Sequence, residues 1–519
     1  MGKVAEADIF LFSGINQDLP TLVEYHTSLK ARFPGARFVI GGPIGWSFQQ
    51  AGDLERLAMF DHVVVGDGED VIAGLLADLV ENRPLERIIK APGRFDLSQA
   101  RPMHRGLLRA TIGNYYGAVL EVARGCPFLC EFCDIRVLPD NNRAHCKPAE
   151  LIAAEMDELS RLGVKGFLFA CDNFIGDPRW AEQVVDALLA WQERTGYRPS
   201  IYTWLTINLY KFPELMAKMR RAGFDMLFIG IESFNSNSLL ETAKVQNTAA
   251  GLVDAVRDIQ SYGFFIVGGL IFGFDSDGEE CFDVTLNGLL EAGLLSGDPS
   301  LLTALPGTPL YRRMKLSGRL RDVRYGLGGH KYQTNIKYLM PKDRLVAGFR
   351  RFVTRLTAGE YQVARLRAYF DNLERGNFIA VEGAYADLRT ALKTILTSPA
   401  AVKLGLKRFG QFLASPSNLY WLAKGFALVA SRRHIKGRFS YFQFWFALWS
   451  TVILKYRHLS EADFDIDSVD AEFDASAVLT DAFTELGDED IPETKKKNQA
   501  RFTLQALTKV AEGRRSGSA

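Results

Sequence analysis

Between Gly117 and Leu320 short apolar runs alternate six times with stretches of helical period, and this alternation constrains the chain more than any other feature. Strands are predicted at Ala118–Ala123, Gly166–Ala170, Ser200–Leu205, Met226–Ile231, Phe265–Ile271 and Leu301–Ala304. Helices are predicted between them at Pro148–Leu162, Pro178–Glu193, Pro213–Ala222, Ala249–Tyr262 and Glu279–Ala292, three opened by a proline at the first turn. Such βα units build a parallel sheet, whose loops converge beyond the strand carboxyl ends and make one mouth.

The loop after the first of these strands holds Cys126, Cys130 and Cys133, three of the chain's six cysteines within eight residues. That spacing brings three thiolates together on one tight loop, as a metal or iron–sulfur site requires. A structural zinc site usually takes four ligands in two pairs, and no second pair exists here. Cys146, Cys171 and Cys281 are scattered singly and read as buried, inert thiols. Six cysteines in 519 residues, behind a start lacking a signal-peptide apolar stretch, predict a reducing cytosol rather than a disulfide framework.

The Cys-x-x-x-Cys-x-x-Cys spacing, with Phe132 just before the last cysteine, resembles the signature of the radical S-adenosylmethionine (radical SAM) enzymes. The resemblance implies an open (βα)6 partial barrel and a four-iron, four-sulfur cluster on the three cysteines. The iron left open would chelate S-adenosylmethionine, whose cleavage yields a 5′-deoxyadenosyl radical. It also implies cofactor contacts at the barrel mouth. Asp172 and Asn173 stand where the family carries a motif near the methionine ammonium; an Asx turn is the local alternative. Asn208 and Glu232 are further polar contacts, after the third strand and in Gly230-Ile231-Glu232-Ser233. Arg124 either tunes a thiolate, faces an acidic group or lies in solvent, and Asn247, in Lys244-Val-Gln246-Asn247, is a suitable N-cap.

Residues 9–12, 38–40 and 62–65 are apolar runs followed by turns, the rhythm of a smaller parallel sheet within residues 1–100. Gly41, Gly42, Gly66 and Gly68 lie at the ends of two of these runs, either as tight turns or where a ligand approaches. The pattern resembles the later half of the cobalamin-binding domain that precedes many radical SAM domains. It departs from that domain in lacking its first strands and an Asp-x-His-x-x-Gly motif, since His26 and His62 have no such context. Cobalamin binding therefore stays open.

From Leu388 to Ser460 there is no Asp or Glu, while Lys, Arg and aromatic residues recur throughout. Either amphipathic helices lie on an anionic membrane, or a helical cap turns its basic face to the acidic stretch Glu461–Glu493. Nonspecific phosphate binding is a third outcome, with no motif for a specific nucleic acid. The longest uncharged apolar run, Tyr441–Leu454, is too short to span a bilayer, which takes about 20 residues.

The combined expectation is a truncated Rossmann-like domain at 1–100, a radical SAM core at 117–320, a helical domain at 321–460 and an acidic, largely disordered tail at 461–519. Residues 8–370 resemble the cobalamin-type subgroup with a C-terminal domain of unknown function, through Asp172–Pro178, Gly230–Ser233, Lys244–Thr248, Ala304–Tyr311 and Thr334-Asn335-Ile336. The subgroup implies C-methylation of an unactivated carbon in a lipid-like or secondary-metabolite substrate, with a flavodoxin- or ferredoxin-type reductant. Without cobalamin the outcome is a rearrangement, cleavage or coupling. A non-catalytic iron–sulfur or membrane-binding protein is the competing class. The location implied is the cytoplasm, with peripheral membrane association as the extension.

Overall fold

The computed structural model describes residues 6–115, 117–138, 140, 142–242, 244, 247, 251–323, 332–380, 396, 399–413, 415–456, 458–470, 473 and 505–510. Gln246 and nearly all of the tail beyond Asp470 lie outside them. The expected α/β architecture is present as two parallel sheets and a helical cap. The smaller sheet has the order β1 (Ile9–Ser13), β2 (Arg37–Gly41), β3 (His62–Val65), β4 (Ile88–Lys90). Its last strand is an addition to the sequence reading; two half-buried isoleucines and an exposed lysine at an edge give too short a run to stand out. Phe38, Ile40, Val63 and Val65 form its core on one face.

The larger sheet has six parallel strands in chain order: β5 (Ala118–Glu121), β6 (Gly166–Ala170), β7 (Ser200–Leu205), β8 (Phe224–Glu232), β9 (Phe265–Phe272) and β10 (Ser296–Leu301). The helix Pro178–Thr195 shows how local sequence places its flanking layer. Asp177 caps it by accepting from the amides of Arg179 and Trp180 (3.0 and 3.2 Å), and Gly196 ends it at φ +69°. Between those signals Trp180, Ala181, Val184, Val185, Leu188 and Trp191 recur at helical spacing and are all buried. Each full-size apolar side chain so buried contributes about 1.5–3 kcal/mol.

One strand of the core differs from expectation. The sixth lies at Ser296–Leu301, mostly before the predicted Leu301–Ala304. It contains Gly297, Asp298 and Pro299, poor strand formers that an edge tolerates because one side needs no ladder hydrogen bonds. The predicted helix at Ala249–Tyr262 is assigned at Leu252–Ser261, with Gly251 as N-cap, so Asn247 does not cap it.

Beyond the barrel, β11 (Tyr332–Tyr338) pairs in parallel with β12 (Phe464–Ser468). The first residues assigned to the acidic tail are thus ordered: Phe464 and Ile466 are buried while Asp465 pairs with Arg321 (2.8 Å). The helices Lys342–Thr357, Gly359–Leu373, Pro399–Leu413, Pro416–Ser431 and Arg438–Tyr456 form the cap. Tyr369, Phe370, Phe412, Tyr441, Trp445 and Trp449 pack with Phe265 and Leu295 in one buried cluster. Their polar atoms are satisfied within it, Trp445 Nε1 donating to Gln362 Oε1 (3.1 Å) and Tyr441 to the Gly263 carbonyl (2.9 Å). Most of the basic, aromatic region is therefore a cap on the barrel. Of the acidic segment, Asp465 pairs with Arg321 and Glu461 with Arg350. Among the described residues no helix is long and apolar enough to cross a membrane.

Candidate active site

The cysteine loop leaves the barrel just after β5. Cys126 and Cys133 are half-buried, Cys130 is buried, and all three are free thiols. Burial pushes the Cys126 thiol up to about 11, and Cys130 adds to the rise. Burial also raises Cys133, followed by Asp134 and the other two sulfurs. The thiols are thus close enough to influence one another. Among the described residues, however, no three His, Cys, Asp or Glu side chains are drawn into a metal-holding group.

Within the motif, Glu131 points into the protein and is 2% exposed. Arg313, on the helix Pro309–Leu316, clamps both its oxygens (Nε–Oε1 2.7 Å, Nη2–Oε2 2.9 Å). The same guanidinium reaches Asp275 (2.7 Å) and Glu241 (3.3 Å), and Arg319 takes Asp275 from the other side (2.6 and 2.8 Å). Backbone bonds reinforce the clamp: Glu131 N donates to Thr242 O (3.0 Å), and Leu310 N donates to Glu131 O (3.2 Å). Three carboxylates share two guanidiniums away from water, so one carboxyl is in excess. Burial, then the Asp275 charge, raises Glu241, whereas Arg319 and Arg313 overcome the effect of burial and hold Asp275 low. None of Glu131, Glu241, Asp275, Arg313 and Arg319 was singled out in the sequence. The rigid Pro306-Gly307-Thr308-Pro309 turn that aims Arg313 was the one legible signal.

The residues expected at the strand ends separate into two groups. Asp172 accepts from Gly125 N (2.5 Å), while Asn173 beside it directs its amide towards Cys126 Sγ (3.8 Å). Burial raises the Asp172 carboxyl. Asn173 Oδ1, Thr206 Oγ1 and Asn208 Oδ1 are buried without a hydrogen-bond partner, three acceptors left open at the ends of β6 and β7. The Glu232 carboxylate is paired with the Lys244 ammonium. Burial opposes that charge, but Glu232 and then Cys130 and Cys133 favour it, which puts Lys244 beside the cysteine loop. Its ammonium also stands 5.9 Å over the Phe132 ring. Glu232 takes φ +63°, a strained backbone for a non-glycine residue, at a register shift in β8. A Cβ at Gly230 would meet Glu232 Oε1 and the Lys244 ammonium, so that glycine makes room for the pair. Asn247, freed from capping, donates to the carbonyls of Gly230 and Ile231 (3.0 and 2.9 Å).

Between the two sheets lies a cavity of about 740 Å³, within the usual range for small-molecule and cofactor sites. Gly41, Gly42, Gly66 and Gly68 line one wall; Arg124, Cys171, Asp172 and Trp204 line the other. The glycines are not equivalent. Gly42 (φ +83°) and Gly66 (φ +102°) adopt left-handed backbone, and a Cβ on them would strike Ser13 or Ala91. Gly68 has nothing within 4 Å of that position, so its missing side chain leaves open space in the cavity wall. Arg124 spans the two domains, bonding Glu121 (2.7 Å), Glu69 (2.5 Å) and Asp67 (3.2 Å). Among the described residues no histidine lines the cavity. His26 is packed between Phe38 and Phe60, and His62 Nδ1 contacts the Glu86 carbonyl (2.9 Å).

Comparison with known proteins agrees with this layout. Residues 120–288 match the Radical SAM superfamily, and residues 308–412 match a domain of unknown function, DUF4070. The hopanoid C-2 methylase of Rhodopseudomonas palustris is 31% identical over 320 residues, 60% of this chain and 59% of that protein. An uncharacterized methyltransferase of Synechocystis sp. is 32% identical over 321 residues, 62% of this chain and 58% of that one. The chain thus matches somewhat less than three fifths of the length of these two relatives. The cobalamin-dependent S-adenosylmethionine radical enzyme OxsB, solved with aqua-cobalamin and S-adenosylmethionine bound, shares the fold. Its TM-score is 0.51 at 15% identity, over 97% of this chain and 76% of that one.

Proposed function

We propose that this chain, which carries the radical SAM domain at residues 120–288, is a cobalamin-dependent C-methylase. Its substrate would be a lipid-like or secondary-metabolite molecule with an unactivated carbon. The observation that carries the reading is the joint position of Asp172 and Asn173. Asp172 lines the cavity between the sheets, and Asn173 faces Cys126, so one strand end serves two adjoining compartments.

In this reading Cys126, Cys130 and Cys133 hold the 4Fe–4S cluster. With S-adenosylmethionine a bound cluster would supply a 5′-deoxyadenosyl radical, and cobalamin would supply the methyl group. The chain's own residues bind and orient. The buried, unpaired oxygens of Asn173, Thr206 and Asn208 suit the donors of an ammonium-bearing cofactor. The Lys244–Glu232 ion pair, neutral overall, holds the Lys244 ammonium beside the cysteine loop. Gly41, Gly42, Gly66 and Gly68 line the corrin cavity, whose wall lets a broad ring approach the backbone. A flavodoxin- or ferredoxin-type protein supplies the electron.

The cavity assignment is tested by equilibrium binding of hydroxocobalamin to wild type and Gly68→Phe, followed by absorbance after desalting. A Cβ at Gly68 has nothing within 4 Å, so melting is expected to stay as in wild type for Gly68→Phe while corrin affinity falls by at least about tenfold. Equal retention by both proteins, or none by wild type, would remove cobalamin from this cavity.

A further inference from the structure

Of fourteen large hydrophobic side chains exposed among the described residues, five lie between residues 396 and 426: Leu396, Leu406, Phe409, Tyr420 and Phe426. Single exposed apolar groups are ordinary, but a concentration on neighbouring helices marks an interaction surface. The helix Pro399–Leu413 turns Phe412 inward against Phe446 and Trp449. Leu406 and Phe409, three residues apart and 69% and 48% exposed, lie on another face, flanked by exposed Lys403 and Lys407. The helix Pro416–Ser431 repeats the arrangement. Gly425 and Val429 are buried, whereas Tyr420 and Lys424 face outward, with the Lys424 ammonium 5.4 Å from the Tyr420 ring; Phe426 is half-exposed at the edge, packed on Phe439 and Phe442.

The charges on this surface separate it from the rest of the cap. Arg432 is paired with Asp371 and Glu374 (both 2.6 Å), and Lys455 with Asp298 (2.6 Å). Lys403, Lys407 and Lys424 form no ion pair among the described residues. Within the chain from 388 to 460 no Asp or Glu occurs at all. Outward apolar side chains flanked by lysines, with no acidic residue interspersed, match the layered chemistry of an anionic bilayer. Acyl chains take up the apolar groups, and phosphate headgroups meet the ammonium groups on their flexible stems.

We propose that the outer face of the helices Pro399–Leu413 and Pro416–Ser431 docks the protein peripherally on an anionic lipid bilayer. The face sits on the cap, so docking would hold the barrel against the membrane and would suit a lipid-like substrate. The docking itself does not depend on the chemistry proposed for the cysteine loop.

The test is co-sedimentation of the full-length protein with phosphatidylglycerol–phosphatidylcholine vesicles and with phosphatidylcholine vesicles, at about 50 and about 500 mM salt. Wild type is expected to sediment with the anionic vesicles at low salt and to be released at high salt. Two variants at exposed positions should each lower binding at least about tenfold while melting as wild type does. They are the changes Lys403→Glu/Lys407→Glu/Lys424→Glu and Leu406→Ser/Phe409→Ser. Wild type remaining in solution would overturn the proposal, as would binding that neither variant weakens. A dimer broken up by the serine variant would also overturn it, assigning the face to a second copy of the chain. Sedimentation reads no catalysis, so its failure leaves the proposed C-methylase standing.

Discussion

The cysteine loop and the outer face of the cap treat charge in opposite ways. Around Glu131 five ionisable groups are buried and bonded to one another at 2.6–3.3 Å, at the desolvation cost such clusters carry. On the cap's outer face Lys403, Lys407 and Lys424 lie in solvent beside apolar side chains, with no carboxylate in their stretch of sequence. A cluster satisfied from inside fixes geometry, here the loop that presents three thiols. Charges left facing outward need a partner from elsewhere to acquire a role. The contrast separates the part of the molecule built for precision from the part built for contact.

The largest effect expected from breaking this contrast is at Arg313. Arg313→Met strands Glu131 and Glu241 in the interior, and the loss of one partner of a buried pair costs about 3–5 kcal/mol. Urea unfolding should show that loss, and reconstituted protein should hold less iron per chain. Wild-type stability and iron content would mean that the clamp does not position the loop.

A smaller effect is expected at Glu241, the carboxyl in excess. Its pKa rises from 4.5 to about 8 on folding. A carboxyl raised in this way contributes stability fully below its unfolded value and loses that contribution as pH climbs towards the folded one. Wild type should therefore lose stability between about pH 5 and pH 8 through this group, and Glu241→Gln should flatten that slope in denaturant titrations. An unchanged slope would place the excess proton elsewhere. The smallest effect is predicted on the cap, where the triple lysine change should move stability by no more than about 0.5 kcal/mol. A large loss there would show that the lysines are satisfied internally after all.

Legibility in the sequence followed the distance over which each feature is specified. Strands β5 to β9 were readable because each is a compact apolar run bounded by turn residues. The cysteine loop was readable because its three thiols are neighbours in sequence. β10 was misplaced because Gly297, Asp298 and Pro299 hide an edge strand. β12 was taken for tail although Phe464-Asp465-Ile466-Asp467 alternates buried with outward positions; its acidity outweighed its period. The Arg313 clamp was out of reach, since Glu131 and Arg313 are 182 residues apart and nothing local marks either. Gly41, Gly42, Gly66, Gly68 and Asp172 were legible as strand-end ligand positions, but not that they line one cavity, because its walls come from two sheets. Glu232 was read as a ligand contact from its motif, while its partner Lys244 could be found only through the strained turn that brings them together.

The central claim is that Cys126, Cys130 and Cys133 carry redox chemistry on S-adenosylmethionine at the barrel mouth. The most direct test is 5′-deoxyadenosine formation by anaerobically reconstituted protein with dithionite and S-adenosylmethionine, beside Cys130→Ala. Formation by wild type and none by the variant is the predicted result. Wild-type protein with a full iron count and an intact cluster signal that releases no 5′-deoxyadenosine, with or without hydroxocobalamin and candidate lipids, would contradict it.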